Sequence, residues 1–168
     1  MMKSSPLGHN NHIKKTLHFI QEIGTIMYVG GILSHIIIGI LFKDADVTAY
    51  YHVYVYKEHS AYVLILPGLG IKIISDILLF FRFKQKPNWL KLKLICTAFL
   101  TLNAFVFLTP MMPELVELAQ DSMHKGKLSQ AFLDKEHLEQ MIGQSNSIPL
   151  FLELVLGSFK PRLGKERV

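Results

Sequence analysis

Residues 23–42, IGTIMYVGGILSHIIIGILF, run for twenty positions without one Asp, Glu, Lys or Arg. A block of about 20 apolar residues matches a hydrocarbon core roughly 30 Å thick when it is helical. Its β-branched residues favour a strand in water, but backbone groups in lipid must bond within the segment, so a helix is required. With its flanks the block defines a first span over about 16–42. It is too long for a signal-peptide apolar region and carries no convincing small-residue cleavage site, so it is expected to remain in the protein.

Two further blocks have the same character. AYVLILPGLGIKIISDILLFF predicts a second span over about 61–81, with Pro67 and its neighbouring glycines marking a kink. WLKLKLICTAFLTLNAFVFLT predicts a third over about 89–109, opening on an interfacial Trp89 and ending at Pro110. A fourth candidate, at about 142–159, contains IGQSNSIPLFLELVLGSF, whose Gln144, Asn146 and Glu153 make hydropathy alone indecisive.

Charge distribution supplies a second criterion, because cytoplasmic flanks collect Lys and Arg. Residues 1–15, 82–93 and 160–168 together hold 12 basic residues and one acid. Residues 43–60 and 110–141 hold 5 basic residues against 9 acidic ones. The bias reverses at every crossing only if a fourth crossing exists. The expected fold is therefore all-α, a transmembrane four-helix bundle with cytoplasmic tails at 1–15 and 161–168. Residues 110–141 have helical periodicity and are expected to form a helical extension of the second outer loop, broken at Gly126.

The net charge of +5 does not indicate nucleic acid, because the cations flank apolar blocks instead of gathering on a soluble face. The expected partners are the lipid bilayer and either another membrane protein or a second copy of the chain. Cys96 is the only cysteine, which rules out an intrachain disulfide or a Cys-based zinc cage. No phosphate-binding loop, nucleophile elbow or HExxH motif occurs.

Ionisable residues inside spans are costly and are candidates for function. Here they are His18, Glu22, His35, Lys72, Asp76, Lys93 and Glu153. Counted from the basic flanks at about 1.5 Å per residue, Glu22, Asp76 and Glu153 fall at a common depth, roughly 10 Å inside the cytoplasmic boundary. One polar centre in the inner half of the bundle is expected. It is either an internal salt-bridge network, with Lys72 and Asp76 pairing at i, i+4, or a functional site. His18 and Glu22 share the same spacing, so the carboxylate could orient the imidazole or raise its basicity. A neutral imidazole can ligate haem iron; the alternative is a helix-end histidine facing headgroups. Gly24, Tyr28, Gly31, His35 and Gly39 line one face suited to close helix packing. The aromatic stretch at 50–62, with His52 and His59, reads as an interfacial belt or, alternatively, a metal site.

LHFI followed by GTIMYVGG, ILPG in the second span, W-L-x-x-K-L opening the third and a terminal FKP together resemble a bacterial family. It is the family of four-span membrane proteins related to the copper-resistance CopD membrane domain, and the resemblance covers most of residues 16–162. More distantly the chain is similar to the HemJ-type protoporphyrinogen oxidases of the bacterial inner membrane, which bind haem b. That resemblance implies His18 as a haem ligand, Lys93 as a functional lysine and catalysis on a porphyrin; Glu22, placed beside His18 by its spacing, is expected to assist. The other expectation is a non-enzymatic membrane subunit or assembly factor, with Lys72, Asp76 and Glu153 as a structural polar core.

Overall fold

A computed structural model of the protein describes the backbone of residues 6–82 and 87–161, and the side chains of residues 15–81 and 87–161. The expected C-terminal tail beyond residue 161, residues 83–86 of the basic flank and the first five residues lie outside that range. Every regular element among the described residues is helical. They are α1 (Pro6–Leu41), α2 (Val47–Ser60), α3 (Leu66–Arg82), α4 (Asn88–Leu102), α5 (Thr109–Lys125), α6 (Gln130–Ser145) and α7 (Ser147–Phe159).

Several of these join end to end. A π-helical turn at Ala61–Ile65 fuses α2 to α3, and another at Asn103–Leu108 fuses α4 to α5. Each turn precedes a proline by one residue, Pro67 and Pro110 respectively. A proline lacks the N–H that an α-helix needs and crowds the preceding turn. Widening the turn accommodates it, with Leu66 N–H reaching Ala61 O and Thr109 N–H reaching Ala104 O. The helix therefore passes through Pro110, where the span was expected to end, and continues as the expected helical extension.

Three helical stretches are long and apolar enough to cross a membrane: Lys15–Leu41, Val47–Phe81 and Asn88–Lys125. Their outward faces carry exposed Ile26, Ile40, Phe81 and Ile95, a pattern that suits lipid and not water. The fourth segment differs. Between α6 and α7 the helix breaks at Asn146, where the Asn103 amide donates to the Asn146 side-chain oxygen at 2.7 Å. The 13 residues of α7 reach only about 20 Å, short of a full hydrocarbon core.

Within residues 43–60, read as an outer loop with an aromatic stretch, Val47–Ser60 form a helix instead. Asp46 caps it by accepting from Ala49 N at 2.7 Å, and its buried Val53, Tyr54, Lys57 and Ser60 recur at helical spacing. This face packs on α5, and both cover Phe132 of α6 with Met111, Met112, Leu115 and Ala119. The expected helical extension is thus a three-helix layer, α2–α5–α6. The predicted break at Gly126 occurs there, in the left-handed conformation at the end of α5 (φ 70°).

At the other end α1 lies along α3, and α7 along α4. The approach of α1 to α3 depends on two glycines. A Cβ on Gly68 would sit 2.6 Å from Tyr28 N, and one on Gly24 would sit 2.8 Å from Gly68 O. Of the expected packing face, Gly24, Tyr28 and Gly31 meet α3 or the turn before it, while Gly39 faces open space.

Candidate functional site

Four charged side chains from three helices meet in the part of the molecule formed by α1, α3, α4 and α7. Asp76 is fully buried at 0% exposure, and Lys72, Glu153 and Lys93 are 1%, 2% and 6% exposed. Asp76 Oδ1 accepts from Lys93 Nζ at 2.6 Å, and Lys72 Nζ lies 3.8 Å from Asp76 Oδ2. Lys72 also donates to Glu153 Oε1, and Thr97 Oγ1 donates to the same carboxylate oxygen. From α1, the Gln21 amide donates to Asp76. Two cations and two anions share one centre, so its formal charge is zero.

Local sequence explains the arrangement. Lys72 and Asp76 are one turn apart on α3, and Lys93 and Thr97 one turn apart on α4, so each pair lies along one helix face. The Gly24–Gly68 crossing brings Gln21, one turn before Gly24, against that face of α3. Glu153 enters from α7, and Gly157, one turn later, lies beside the Lys93 side chain; a Cβ there would be 3.8 Å from Lys93 Cε. Buried charges are tolerated only when paired and hydrogen-bonded, and this network leaves one group short. Glu153 Oε2 is buried without a hydrogen-bond partner.

On the other side the centre is closed by apolar packing. Tyr28, Leu69, Leu100 and Ala104 form a buried cluster between it and the Asn103–Asn146 contact.

The sequence-derived residues divide clearly. Lys72, Asp76, Lys93 and Glu153 are brought together. Glu22 is not: it is exposed, about 100° around α1 from Gln21. Lys72 and Asp76 do approach each other, yet each has a nearer partner on another helix, Glu153 and Lys93 respectively. His18 sits half-buried in the first half of α1, hydrogen-bonded to Gln21, with Lys160 and Lys93 as neighbouring cations. Gln21 therefore links His18 to Asp76. His35 bonds the Ser60 hydroxyl, and His59 bonds Val55 O at 2.8 Å, within their helical layers. Among the described residues no group of three or more His, Cys, Asp or Glu is placed to hold a metal ion. Cys96 is buried and unpaired.

Gln21 bonds both His18 and Asp76, and the Lys93 ammonium is closed on Asp76, so the side chains assigned to a porphyrin already engage other groups of the protein. Two cavities open on other sides of the helices. One of about 470 Å³ is lined by Asn103, Pro110, Glu114 and Ile142, and one of about 550 Å³ by Ile77, Leu94, Thr97 and Phe105, so that the second borders the polar centre at Thr97; neither is lined by His18 or Lys93.

Sequence reasoning missed Gln21 and Thr97. Thr97 stands four residues after Lys93, and Gln21 three before a glycine on the packing face, so helical spacing could have found both. It also missed Lys57, whose ammonium binds both Glu139 oxygens, at 3.0 and 3.1 Å.

No protein-family model, curated protein or solved structure matches the chain. Fold and site together define a class: an all-helical membrane protein with three helices fit to span, built around a buried, charge-balanced polar centre.

Proposed function

We propose that this chain is a non-enzymatic subunit or assembly factor of a bacterial inner membrane, crossing it four times with both termini in the cytoplasm. The observation that carries the reading is the closure of Lys72, Asp76, Lys93 and Glu153 on one another, with Gln21 and Thr97 completing the set. Groups engaged in this way hold helices together and are not free to act on a substrate. The network also explains how a segment as short and interrupted as α7 is retained: Glu153 and Asn146 tie it to α3 and α4.

The α2–α5–α6 layer is the part of the molecule suited to meet another protein. It carries most of the acidic residues of 110–141, and leaves Leu133, Leu138 and Met141 exposed. The charge alternation along the sequence supports placing this layer outside and the basic flanks inside.

The experiment is to purify the protein in detergent, record its absorption spectrum, and compare His18→Ala and Lys93→Met with the parent in both spectrum and thermal stability. The structural reading expects no Soret band, a stable His18→Ala protein and a strongly destabilised Lys93→Met protein. A Soret band that His18→Ala abolishes without loss of folding would overturn it in favour of a haem b protein of the kind the resemblance implies.

A further inference from the structure

Away from the ion cluster, α2 meets α6 through a polar contact with an unusual proton count. The hydroxyl of buried Tyr54 lies 3.1 Å from Glu136 Oε1 and 3.2 Å from Glu139 Oε2. Lys57, one turn after Tyr54, binds both oxygens of Glu139 and stands 4.5 Å from the centre of the Tyr54 ring. Glu139 thus has a cation in contact, whereas Glu136 has none among the described ion pairs.

A phenol carries one hydrogen, and an ionised carboxylate only accepts. With both glutamates ionised, Tyr54 can donate to one of them. The other would then set a charged oxygen against the phenol oxygen, with a like charge one turn away on the same helix. One proton on Glu136 resolves the conflict: Glu136 donates to Tyr54, Tyr54 donates to Glu139, and Lys57 donates to Glu139.

The surroundings favour that proton. Glu136 is half-buried, and burial, the largest influence on it, pushes its carboxyl up from the ordinary range. The Tyr54 bond and Lys57 act against that shift, and Glu139 adds to it. The other groups around the contact are otherwise occupied. Tyr50 on α2 donates to Lys43 O at 2.7 Å, and Glu114 on α5 is paired with Lys135. The rest of the α5 face toward this region is apolar.

We propose that Glu136 and Tyr54 form a proton-binding latch between α6 and α2. The protonated Glu136 carboxyl donates to Tyr54 and closes the contact; loss of the proton turns the Glu136 side chain out to solvent and loosens α6. An acid whose folded value is raised stabilises the closed form below that value, so the latch is closed on the acidic side and opens as pH rises through Glu136's own titration.

Hydrogen exchange of α6 peptides in the full-length protein in nanodiscs, corrected for intrinsic rate at each pH, tests this. The parent should show α6 exchange rising about fivefold to tenfold as Glu136 ionises, the loss of about one hydrogen bond. Glu136→Gln, whose amide can donate to Tyr54 at every pH, should stay protected throughout. Tyr54→Phe should be fast and independent of pH. The latch is overturned if the parent profile is flat, if Glu136→Gln follows the parent's pH dependence, or if Tyr54→Phe retains it. Should Tyr54→Phe fail to fold, the parent and Glu136→Gln profiles decide the matter alone.

Discussion

Lys72 and Asp76 stand one turn apart in an apolar helix, and spacing alone pairs them; in the fold each takes a nearer partner from another helix. Four of the buried charges could be found in the sequence because an ionisable group in a span is conspicuous. Their grouping was foreshadowed by depth, since depth is a count of residues. Orientation around the helix was harder, because one residue turns the side chain by about 100°. Counting therefore selected Glu22, whereas the fold uses its neighbour Gln21. The same contrast gives a test. Glu22→Ala should leave the unfolding midpoint unchanged, whereas Gln21→Ala, which removes a donor from buried Asp76, should lower stability by about 1–3 kcal/mol in a denaturant titration in micelles. Equal effects of the two would contradict the assignment.

At the scale of elements, the three long apolar helices were legible because length and hydropathy are properties of a continuous run. Two features were not. The aromatic, β-branched stretch at 47–60 resembles an interfacial loop until its Tyr54 and Lys57 are seen to face α5 and α6 and its Ser60 to bond His35 of α1. Pro110 looks like the end of a span and Pro67 like a kink, and a π-helical turn carries the helix past each of them. The glycines also separate by context, which sequence does not supply. Gly68→Leu should push α1 from α3 and cost at least about 1–3 kcal/mol. Gly70→Ala, with open space around the added methyl, should leave stability close to that of the parent. Thermal unfolding of the two variants in the same detergent checks the pair. Asn146→Ala should remove the side-chain contact with Asn103 and lower stability by about 0.5–1.5 kcal/mol, more modestly than loss of a charge.

For the whole molecule, the account joins a charge-balanced core to an outer helical layer through two continuous helices, α2–α3 and α4–α5. Both termini are then expected on one side and the α5–α6 turn on the other. Cysteines placed at Ser5, Gln85 and Lys125 should show it: positions 5 and 85 react with an impermeant reagent from the cytoplasmic side, and position 125 only from the outer side. Labelling of 85 and 125 from a common side would contradict four crossings. A fourth crossing is called for by charge alternation more than by hydropathy, because Asn146 and Glu153 interrupt the apolar run at 142–159.

The claim on which the rest depends is that Lys72 and Glu153 neutralise each other inside the bundle, and a double-mutant cycle measures it directly. Lys72→Met and Glu153→Leu singly should each lower the unfolding free energy by about 3–5 kcal/mol, because each leaves a buried charge with weakened compensation. The double variant should lose clearly less than the sum, showing a coupling between the two positions. Losses that simply add, or single variants as stable as the parent, would contradict a structural ion cluster.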